Sequence, residues 1–143
     1  MRIGKIEHYN IRTEKLADTV RFYTEVLGFT NGKRPGNPKP NTGAWLYNDE
    51  GVPVVHVTAV DRNDPERLKW VNDYLGHRDL DSLSGSGSID HVAFSGVGYD
   101  EVLTRCRALN VAARERLVEA LKLRQLFVTD PNGISIELNF YGD

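Results

Sequence analysis

Hydrophobic and polar residues alternate along the last apolar segment of the chain, residues 133–140. Ile134, Ile136, Leu138 and Phe140 are apolar there, and the residues between them are polar. Because successive strand side chains point to opposite faces of a sheet, this pattern predicts a strand with one buried and one polar face. Similar short segments predict strands at residues 5–13, 44–48, 52–59, 89–95, 114–118 and 124–129.

Three other segments have the spacing or composition of helices. From Leu16 to Leu27 apolar residues recur three to four positions apart, with Thr13 as the expected N-cap and Gly28 as the expected C-terminal glycine. Residues 64–76 and 99–109 are predicted to form two more helices. Residues 31–41 contain three prolines and two glycines, which predicts a loop.

The two halves of the chain repeat one another. IEHYNIRT aligns with IDHVAFSG, so His8 corresponds to His91, and NDEGVPVVHV aligns with TDPNGISIEL, so His56 corresponds to Glu137. We therefore predict one α+β domain built from two β-α-β-β-β modules, neither of which can cover its sheet alone. The expected boundaries are about residues 1–60 for module one, 61–88 for a connector that can form part of the pocket mouth, and 89–143 for module two.

Four metal-binding side chains occupy these equivalent positions. Glu137 lies on the polar face of its predicted strand, where an isolated carboxylate is costly unless it is paired or binds a metal. If a pseudo-twofold axis relates the modules, the side chains of His8, His56, His91 and Glu137 can converge on one point. Three imidazoles and a carboxylate suit one divalent ion such as Fe²⁺, Zn²⁺, Ni²⁺, Mn²⁺ or Co²⁺, and argue against calcium and magnesium.

The segments IEHYNIRT, LADTVRFYTEVLGF, IDHVAF and VTDPNGISIEL together resemble the vicinal oxygen chelate superfamily, which includes glyoxalase I, fosfomycin-resistance enzymes, extradiol dioxygenases and bleomycin-resistance proteins. The resemblance covers nearly the whole chain. It implies an open, curved mixed sheet around a central metal site, usually in a homodimer in which two chains can share a site. It also implies that His8, His56, His91 and Glu137 are the ligands. Glyoxalase I has a glutamate base at the position of His56, so the histidine argues against that activity.

These residues are compatible with three functions. We favour an Fe²⁺ dioxygenase, because two histidines and a carboxylate leave room for oxygen and a chelating small-molecule substrate. The alternatives are a lyase, isomerase or thiol transferase that uses a Lewis-acid metal, and a bleomycin-resistance-like protein that binds a ligand without chemistry. In either enzyme His56 is the candidate catalytic residue, as a proton acceptor or as a further ligand.

Several side chains are candidates for substrate binding. Arg12 lies on the face of His8 and can hold an anionic oxygen, and Trp45 with Tyr47 can wall an aromatic ring. Arg124, beside Lys122, can pair with a substrate carboxylate. The predicted substrate-binding residues are Asn10, Arg12, Trp45, Arg124, Asn139 and Tyr141.

Composition excludes other classes of protein. Eighteen basic residues against 20 acidic ones give a net charge of −2, without a run of five like charges, so nucleic acid is not an expected partner. No apolar segment has the length of a signal peptide core or a membrane span, so we expect a cytoplasmic protein without a membrane partner. The single cysteine, Cys106, is expected to be a buried helix residue, and His77 to be exposed.

Overall fold

The computed structural model describes residues 1–142, and the last residue of the predicted second module, Asp143, lies outside this range. Within it the chain forms two four-stranded mixed sheets and three α-helices, which confirms the α+β class. The strands are β1 (Tyr9–Thr13), β2 (Thr30–Gly32), β3 (Gly43–Tyr47), β4 (Val55–Ala59), β5 (Val92–Gly96), β6 (Arg114–Val118), β7 (Leu123–Thr129) and β8 (Ser135–Tyr141). The helices are α1 (Leu16–Arg21), which continues as a π-helical turn (Phe22–Val26), α2 (Pro65–Leu75) and α3 (Tyr99–Ala108).

The two sheets have the same topology. Their strand orders are β1-β4-β3-β2 and β5-β8-β7-β6, and in each the first and last strands of the module pair in parallel. The predicted β-α-β-β-β order is therefore confirmed in both halves. The chain also separates into two compact units: the first unit comprises Met1–Thr24 with Gly28–Leu83, and the second comprises Glu25–Leu27 with the residues from Ser84 onward. The break falls in the predicted connector.

In the first unit, one face of the sheet packs against α1. Ile11, Leu46 and Val57 on this face are almost fully buried, because alternate residues of each strand point towards the helix. Tyr23 is also fully buried, and its hydroxyl oxygen accepts a hydrogen bond of 2.8 Å from the Tyr9 hydroxyl. The opposite, polar face of the sheet is left for the candidate site.

In the second unit, the apolar set of β8 packs towards α3 as the alternation predicted. Ile136, Leu138 and Phe140 are buried, and the Phe140 ring meets the Tyr99 ring edge-on at 5.4 Å. Cys106 of α3 is fully buried, as expected, and burial raises the pKa of its thiol. These contacts leave the polar residues of β8 on the other face of the sheet.

Equivalent turns precede the last strand of both units. The side chains of Asn48 and Asp130 each accept a hydrogen bond of 2.9 Å from the backbone N–H four residues later. Gly51 and Gly133 follow in the left-handed region, at φ of 74° and 80°, where glycine is favoured over other residues. The repeat therefore extends to the turn chemistry.

Some predicted boundaries are wrong. The strand expected from residue 5 begins at Tyr9, so His8 directly precedes β1, just as His91 directly precedes β5. The first helix begins at Leu16, because the Thr13 hydroxyl oxygen accepts the Lys15 N–H at 2.8 Å in a local turn and does not cap the helix.

Of two further boundary predictions, one is confirmed and the other is wrong. Gly28 follows the π-helical turn at a φ of 75°, as expected for a helix-terminating glycine. The loop expected from residue 31 begins later, because the short strand β2 pairs with β3 across its first residues. None of the helices in the described range combines the length and apolar character that crossing a bilayer requires.

Candidate functional site

The parallel strand pairs place the predicted ligands in equivalent registers. In the first unit Asn10 pairs with His56, and in the second Ala93 pairs with Glu137. His8 and His91 stand two residues before Asn10 and Ala93. Each unit therefore brings a histidine at the start of its first strand close to the candidate ligand of its last strand.

In the first unit, His56 lies between two other rings. The Trp45 ring stacks on it with centroids 4.0 Å apart, and the His8 ring stacks on it at 3.8 Å. Trp45 is directly opposite His56 in the β3–β4 pair, which explains the first contact. We refer to these three side chains as the ring stack.

The imidazole of His56 has an unsatisfied nitrogen. Its Nε2 atom is buried and has no hydrogen-bond partner within residues 1–142. Burial lowers the pKa of His56, and the charge of His8 lowers it further, so the neutral ring is favoured. Because buried polar atoms are nearly always paired, this nitrogen is available to bind a ligand atom.

A cavity of about 490 Å³ opens beside the ring stack and is called the α2 cavity below. Trp45, His56 and Thr58 line it from the sheet, and Trp70 and Tyr74 line it from α2. Its volume is typical of small-molecule sites. Because α2 lies within the predicted connector, the connector lines this cavity. A second cavity of about 570 Å³ is lined by all three members of the ring stack.

In the second unit, Glu137 is held by a chain of hydrogen bonds. Gln125 Nε2 donates to Asn139 Oδ1 at 2.8 Å, and Asn139 Nδ2 donates to Glu137 Oε1 at 2.8 Å. Gln125 is only 5% exposed. The sequence reasoning missed this residue, although its place opposite Asn139 in the β7–β8 hairpin follows from the alternation.

His91 faces the other carboxylate oxygen of Glu137. Its Nε2 atom lies 3.5 Å from Glu137 Oε2, and its Nδ1 atom lies 2.8 Å from Asp90 Oδ1. The contact with Asp90, and then the charge of Glu137, raise the pKa of His91. An Nδ1–H donated to Asp90 directs the Nε2 lone pair of the neutral ring towards Glu137.

This pair fits two ligands of a divalent ion. Ligand distances to zinc are about 2.0–2.2 Å, so donor atoms closer than about twice that distance can bind one ion. The 3.5 Å separation of His91 Nε2 and Glu137 Oε2 meets this condition. Asp90 behind His91 resembles the carboxylate that commonly orients a ligating histidine.

The donors are nevertheless found as pairs. No group of three or more His, Cys, Asp or Glu side chains within the described range is arranged to hold a metal ion. His8 and His56 belong to the first unit, and His91 and Glu137 belong to the second. The predicted cluster of four is therefore not present as one group in residues 1–142.

Two of the remaining predicted residues, Asn10 and Arg12, lie on β1 and differ in their contacts. Asn10 lines the α2 cavity and accepts a hydrogen bond of 3.0 Å from the Thr58 hydroxyl. Arg12 instead donates to the carbonyl of Gly76 at 2.9 Å and to Asn72 Oδ1 at 3.3 Å. The guanidinium group of Arg12 therefore anchors the C-terminal end of α2 and does not form an open anion site.

Tyr47 and Tyr141 lie at the margins of their sheets. The Tyr47 hydroxyl donates to the carbonyl of Lys33 at 2.6 Å, and the side chain does not line the α2 cavity. Tyr141 ends β8 and is 62% exposed. Neither tyrosine therefore joins the ring stack or the hydrogen-bond chain to Glu137.

Arg124 does not join Glu137 either. Its guanidinium carbon lies 3.5 Å from the centroid of the Tyr99 ring, and its Nη2 pairs with Asp100 at 3.1 Å. Both partners belong to α3, on the opposite face of the sheet. The physical reason is the strand alternation, which gives the polar face to the next residue, Gln125. His77 is exposed, as expected.

The geometry of two repeated modules agrees with a comparison against protein families. The chain matches the model of the Glyoxalase/Bleomycin resistance protein/Dioxygenase superfamily over residues 5–138. The chain belongs to this superfamily. The resemblance expected from the four sequence segments is thereby confirmed.

A curated relative is named for a reaction. The "Putative ring-cleaving dioxygenase MhqA" of Bacillus subtilis is 27% identical over 126 residues, which cover 87% of this chain and 35% of the relative. The chain thus spans about a third of the length of that relative.

Solved structures of the superfamily share the fold. The fosfomycin resistance protein FosX from Listeria monocytogenes has a TM-score of 0.64 at 17% identity, covering 97% of this chain and 94% of FosX. A glyoxalase/bleomycin resistance protein/dioxygenase from Nocardioides has a TM-score of 0.65 at 20% identity, covering 99% and 85%. The lactoylglutathione lyase from Agrobacterium tumefaciens has a TM-score of 0.58 at 15% identity, covering 98% and 96%.

Proposed function

We propose that this superfamily member is a metal-dependent dioxygenase that acts on a small substrate with two adjacent oxygen atoms. His8, His91 and Glu137 would provide two histidines and one carboxylate, the ligand set of many non-haem iron oxygenases. The observation that carries the proposal is the 3.5 Å approach of His91 Nε2 to Glu137 Oε2, with Asp90 behind the imidazole. Fe²⁺ held by these residues would supply the redox chemistry that dioxygen requires.

His56 is proposed to accept a proton from the substrate or to act as a fourth ligand. The Nε2 atom of its neutral imidazole is unpaired and can take the proton of a substrate hydroxyl as the substrate binds. Stacking between Trp45 and His8 fixes the plane of the ring and covers both of its faces. A base held in this way needs little reorganisation when substrate arrives.

The name of the Bacillus subtilis relative supports ring cleavage as the type of dioxygenation. That protein is named as a ring-cleaving dioxygenase, and this chain matches about a third of it. A catechol has the two adjacent hydroxyl groups that the proposal requires.

The candidate metal ligands lie in pairs, and this bears on the oligomeric state of the protein. In residues 1–142 the candidate donors are found as one pair in each unit, and no three of them are arranged to hold an ion. We propose that the protein acts as a homodimer and that the donors come from one copy or from two. Sedimentation of the metal-free and iron-loaded protein tests this state.

Oxygen consumption is the test of the reaction. Chelator-treated protein is reloaded without oxygen with Fe²⁺ or with Zn²⁺ and is then assayed with catechol and substituted catechols in an oxygen electrode. We expect uptake that requires both Fe²⁺ and a catechol and that is lost in the Glu137→Gln variant. Binding of about one iron per chain without uptake with any catechol would contradict dioxygenation.

A metal-dependent lyase or isomerase is the second candidate, and the lowered pKa of His56 favours it. A neutral imidazole near pH 7 can move a proton at carbon while a Lewis-acid metal stabilises the resulting negative charge. Exchange of a substrate C–H proton with solvent deuterium in the Zn²⁺-loaded protein, without oxygen uptake, would support this candidate over the first.

A further inference from the structure

Two arginines of the α2 cavity are held against the same residue, Thr42. Arg34 Nη2 donates to Thr42 Oγ1 at 2.9 Å, and Arg67 Nη2 donates to the Thr42 carbonyl at 2.7 Å. Arg34 also bonds the carbonyl of Gly43, and Arg67 that of Ala59. All four acceptors are uncharged, so these bonds position the two guanidinium groups without neutralising them.

The positive charge of the pair is only partly balanced. Neither arginine forms an ion pair within residues 1–142. Burial is the largest cause that lowers the pKa of Arg67, and the positive charge of Arg34 lowers it further. Asp64 is near enough to oppose this effect, but its carboxylate is engaged in capping α2 by accepting the Arg67 backbone N–H at 2.9 Å. Lys39 adds a third cation to the lining and Glu66 a second carboxylate. Two guanidinium groups brought together in this way are suited to a shared anion.

The same cavity has aromatic walls. Both tryptophans of the chain line it, Trp45 in the ring stack and Trp70 on α2. Trp70 is 55% exposed and Tyr74 71% exposed, with their ring centroids 5.5 Å apart. Large rings that face a cavity offer a planar ligand a surface for stacking.

We propose that the α2 cavity binds an aromatic carboxylate, with its carboxylate on Arg34 and Arg67 and its ring against the aromatic walls. The volume of about 490 Å³ accommodates a substituted benzoate. The proposal rests on the proposed function only where it makes this molecule the substrate, since His56 lines the same cavity. Binding itself requires residues of the first unit alone.

Quenching of tryptophan fluorescence measures this binding directly, because both tryptophans line the cavity. The metal-free protein is titrated with 4-nitrobenzoate and, separately, with the uncharged and nearly isosteric 4-nitrobenzamide. We expect saturable quenching by both and a Kd at least about tenfold lower for 4-nitrobenzoate, because only its carboxylate can form charge-assisted hydrogen bonds with the guanidinium groups. The preference should decrease as the salt concentration rises. An equal or lower Kd for 4-nitrobenzamide overturns the proposal.

Charge variants locate the anion within the cavity. Arg34→Met and Arg67→Met are expected to remove the preference for the anion, and Arg34→Lys and Arg67→Lys to retain part of it. Glu66→Gln, which removes a lining carboxylate, should lower the Kd of 4-nitrobenzoate by about two- to fivefold, the range of exposed charge pairs. Lys69→Met is the matched control, because Lys69 lies on α2, pairs with Asp73 and does not line the cavity.

The outcomes separate this proposal from the proposed function. Retention of the preference in both methionine variants, or its loss in Lys69→Met, overturns the assignment of the carboxylate to the arginine pair. If the methionine variants do not fold, two measurements still test the proposal. They are the Kd values of the two probes on the unaltered protein and the Kd of 4-nitrobenzoate on the Glu66→Gln variant. Because no metal is added, a failed oxygen assay leaves these results unaffected.

Discussion

The polar faces of the two sheets are built from the same topology but differ in chemistry. In the first unit, His56 is stacked between two rings, its Nε2 atom is unpaired, and a cavity lies beside it. In the second unit, Glu137 accepts a hydrogen bond from Asn139, which accepts one in turn from a buried glutamine. The comparison shows that the first unit leaves His56 beside an open cavity, whereas the second unit holds the Glu137 carboxylate in position by hydrogen bonds.

One pair of equivalent positions accounts for part of this difference. Trp45 is opposite His56 and Phe127 is opposite Glu137, so Gly43 of β3 corresponds to Gln125 of β7. The glutamine side chain fills its face and reaches Asn139. Gly43 has no side chain to reach across in this way, and its carbonyl accepts a hydrogen bond from Arg34 of the α2 cavity.

The largest expected effect is on the second unit, through Glu137→Gln. The amide keeps the shape and can still accept the bond from Asn139, but it removes the charge that a divalent ion requires. We expect metal binding to weaken beyond the about 10–100-fold typical of losing an outer-shell partner, as measured by elemental analysis and calorimetry. Glu119→Gln, at an exposed position, serves as the control.

Replacing the histidines of the first unit refines this first prediction. His8→Ala should abolish metal retention, whereas His56→Ala should weaken it less and reduce turnover more. Equal loss of metal in the His8, His56 and Glu137 variants would contradict the separate role proposed for His56.

The next effect is on the stability of the first unit, through Gly43→Ala. A Cβ atom at this position would lie 2.2 Å from the backbone carbonyl oxygen of Val57, which cannot move without distorting β4. We expect the free energy of unfolding to fall by about 1–3 kcal/mol, the usual range for overpacking, in urea denaturation followed by circular dichroism. Gly4→Ala has open space around its Cβ and should be neutral. An unchanged midpoint for Gly43→Ala would mean that the strand tolerates the side chain.

A smaller effect is expected from Gln125→Leu, which removes the first hydrogen bond of the chain to Glu137. Gln125 acts here as a positioning residue, so metal affinity should fall by about tenfold, at the low end of outer-shell effects. Arg116→Met is the matched control, because it removes the 3.3 Å bond to Gln125 Oε1 and leaves the bond to Asn139 intact. If both variants lose affinity equally, the effect comes from general loosening around Gln125.

The smallest effect is a difference in titration between two histidines of the metal-free protein. Burial lowers the pKa of His56 and the contact with Asp90 raises that of His91, so His91 should protonate first as the pH falls. The His56 contribution to stability is then lost as the pH falls below 6.5, whereas the His91 contribution is lost as the pH rises through its folded pKa. NMR of the ring Cε1–H signals, assigned with His56→Gln and His91→Gln, measures both. The reverse order of titration would contradict the comparison.

Most of the fold was predictable because the repeat left its trace in local patterns. The alternation from Ile134 to Phe140 predicted the faces of β8, and the alignment of His56 with Glu137 predicted two equivalent modules. β6 was predicted with its observed bounds, Arg114–Val118. Strong periodicity predicts such elements because burial of one face decides the structure.

Less of the candidate site was predictable, because it depends on contacts between distant segments. Thr42 brings Arg34 and Arg67 together from a proline-rich loop and from the connector, and no local pattern encodes that meeting. Arg12 and Arg124 were assigned to substrate from their charge, but their bonds to the ends of α2 and α3 depend on where those helices pack. Charge along a strand indicates exposure and does not identify the partner.

The parallel pairing within each unit also governs the order of folding. Tyr9 can pair only once Val55 has been synthesised, and Val92 can pair only once Ile136 has been synthesised. Neither sheet has its central strand before that point. Contacts between residues so far apart along the chain form slowly, because a long loop must be closed before any pairing energy is gained. On the ribosome the first sheet can close once β4 has emerged, while the second waits for β8. Until then β5 lacks the strand that pairs with it in the second sheet, so its backbone N–H and C=O groups stay unpaired there.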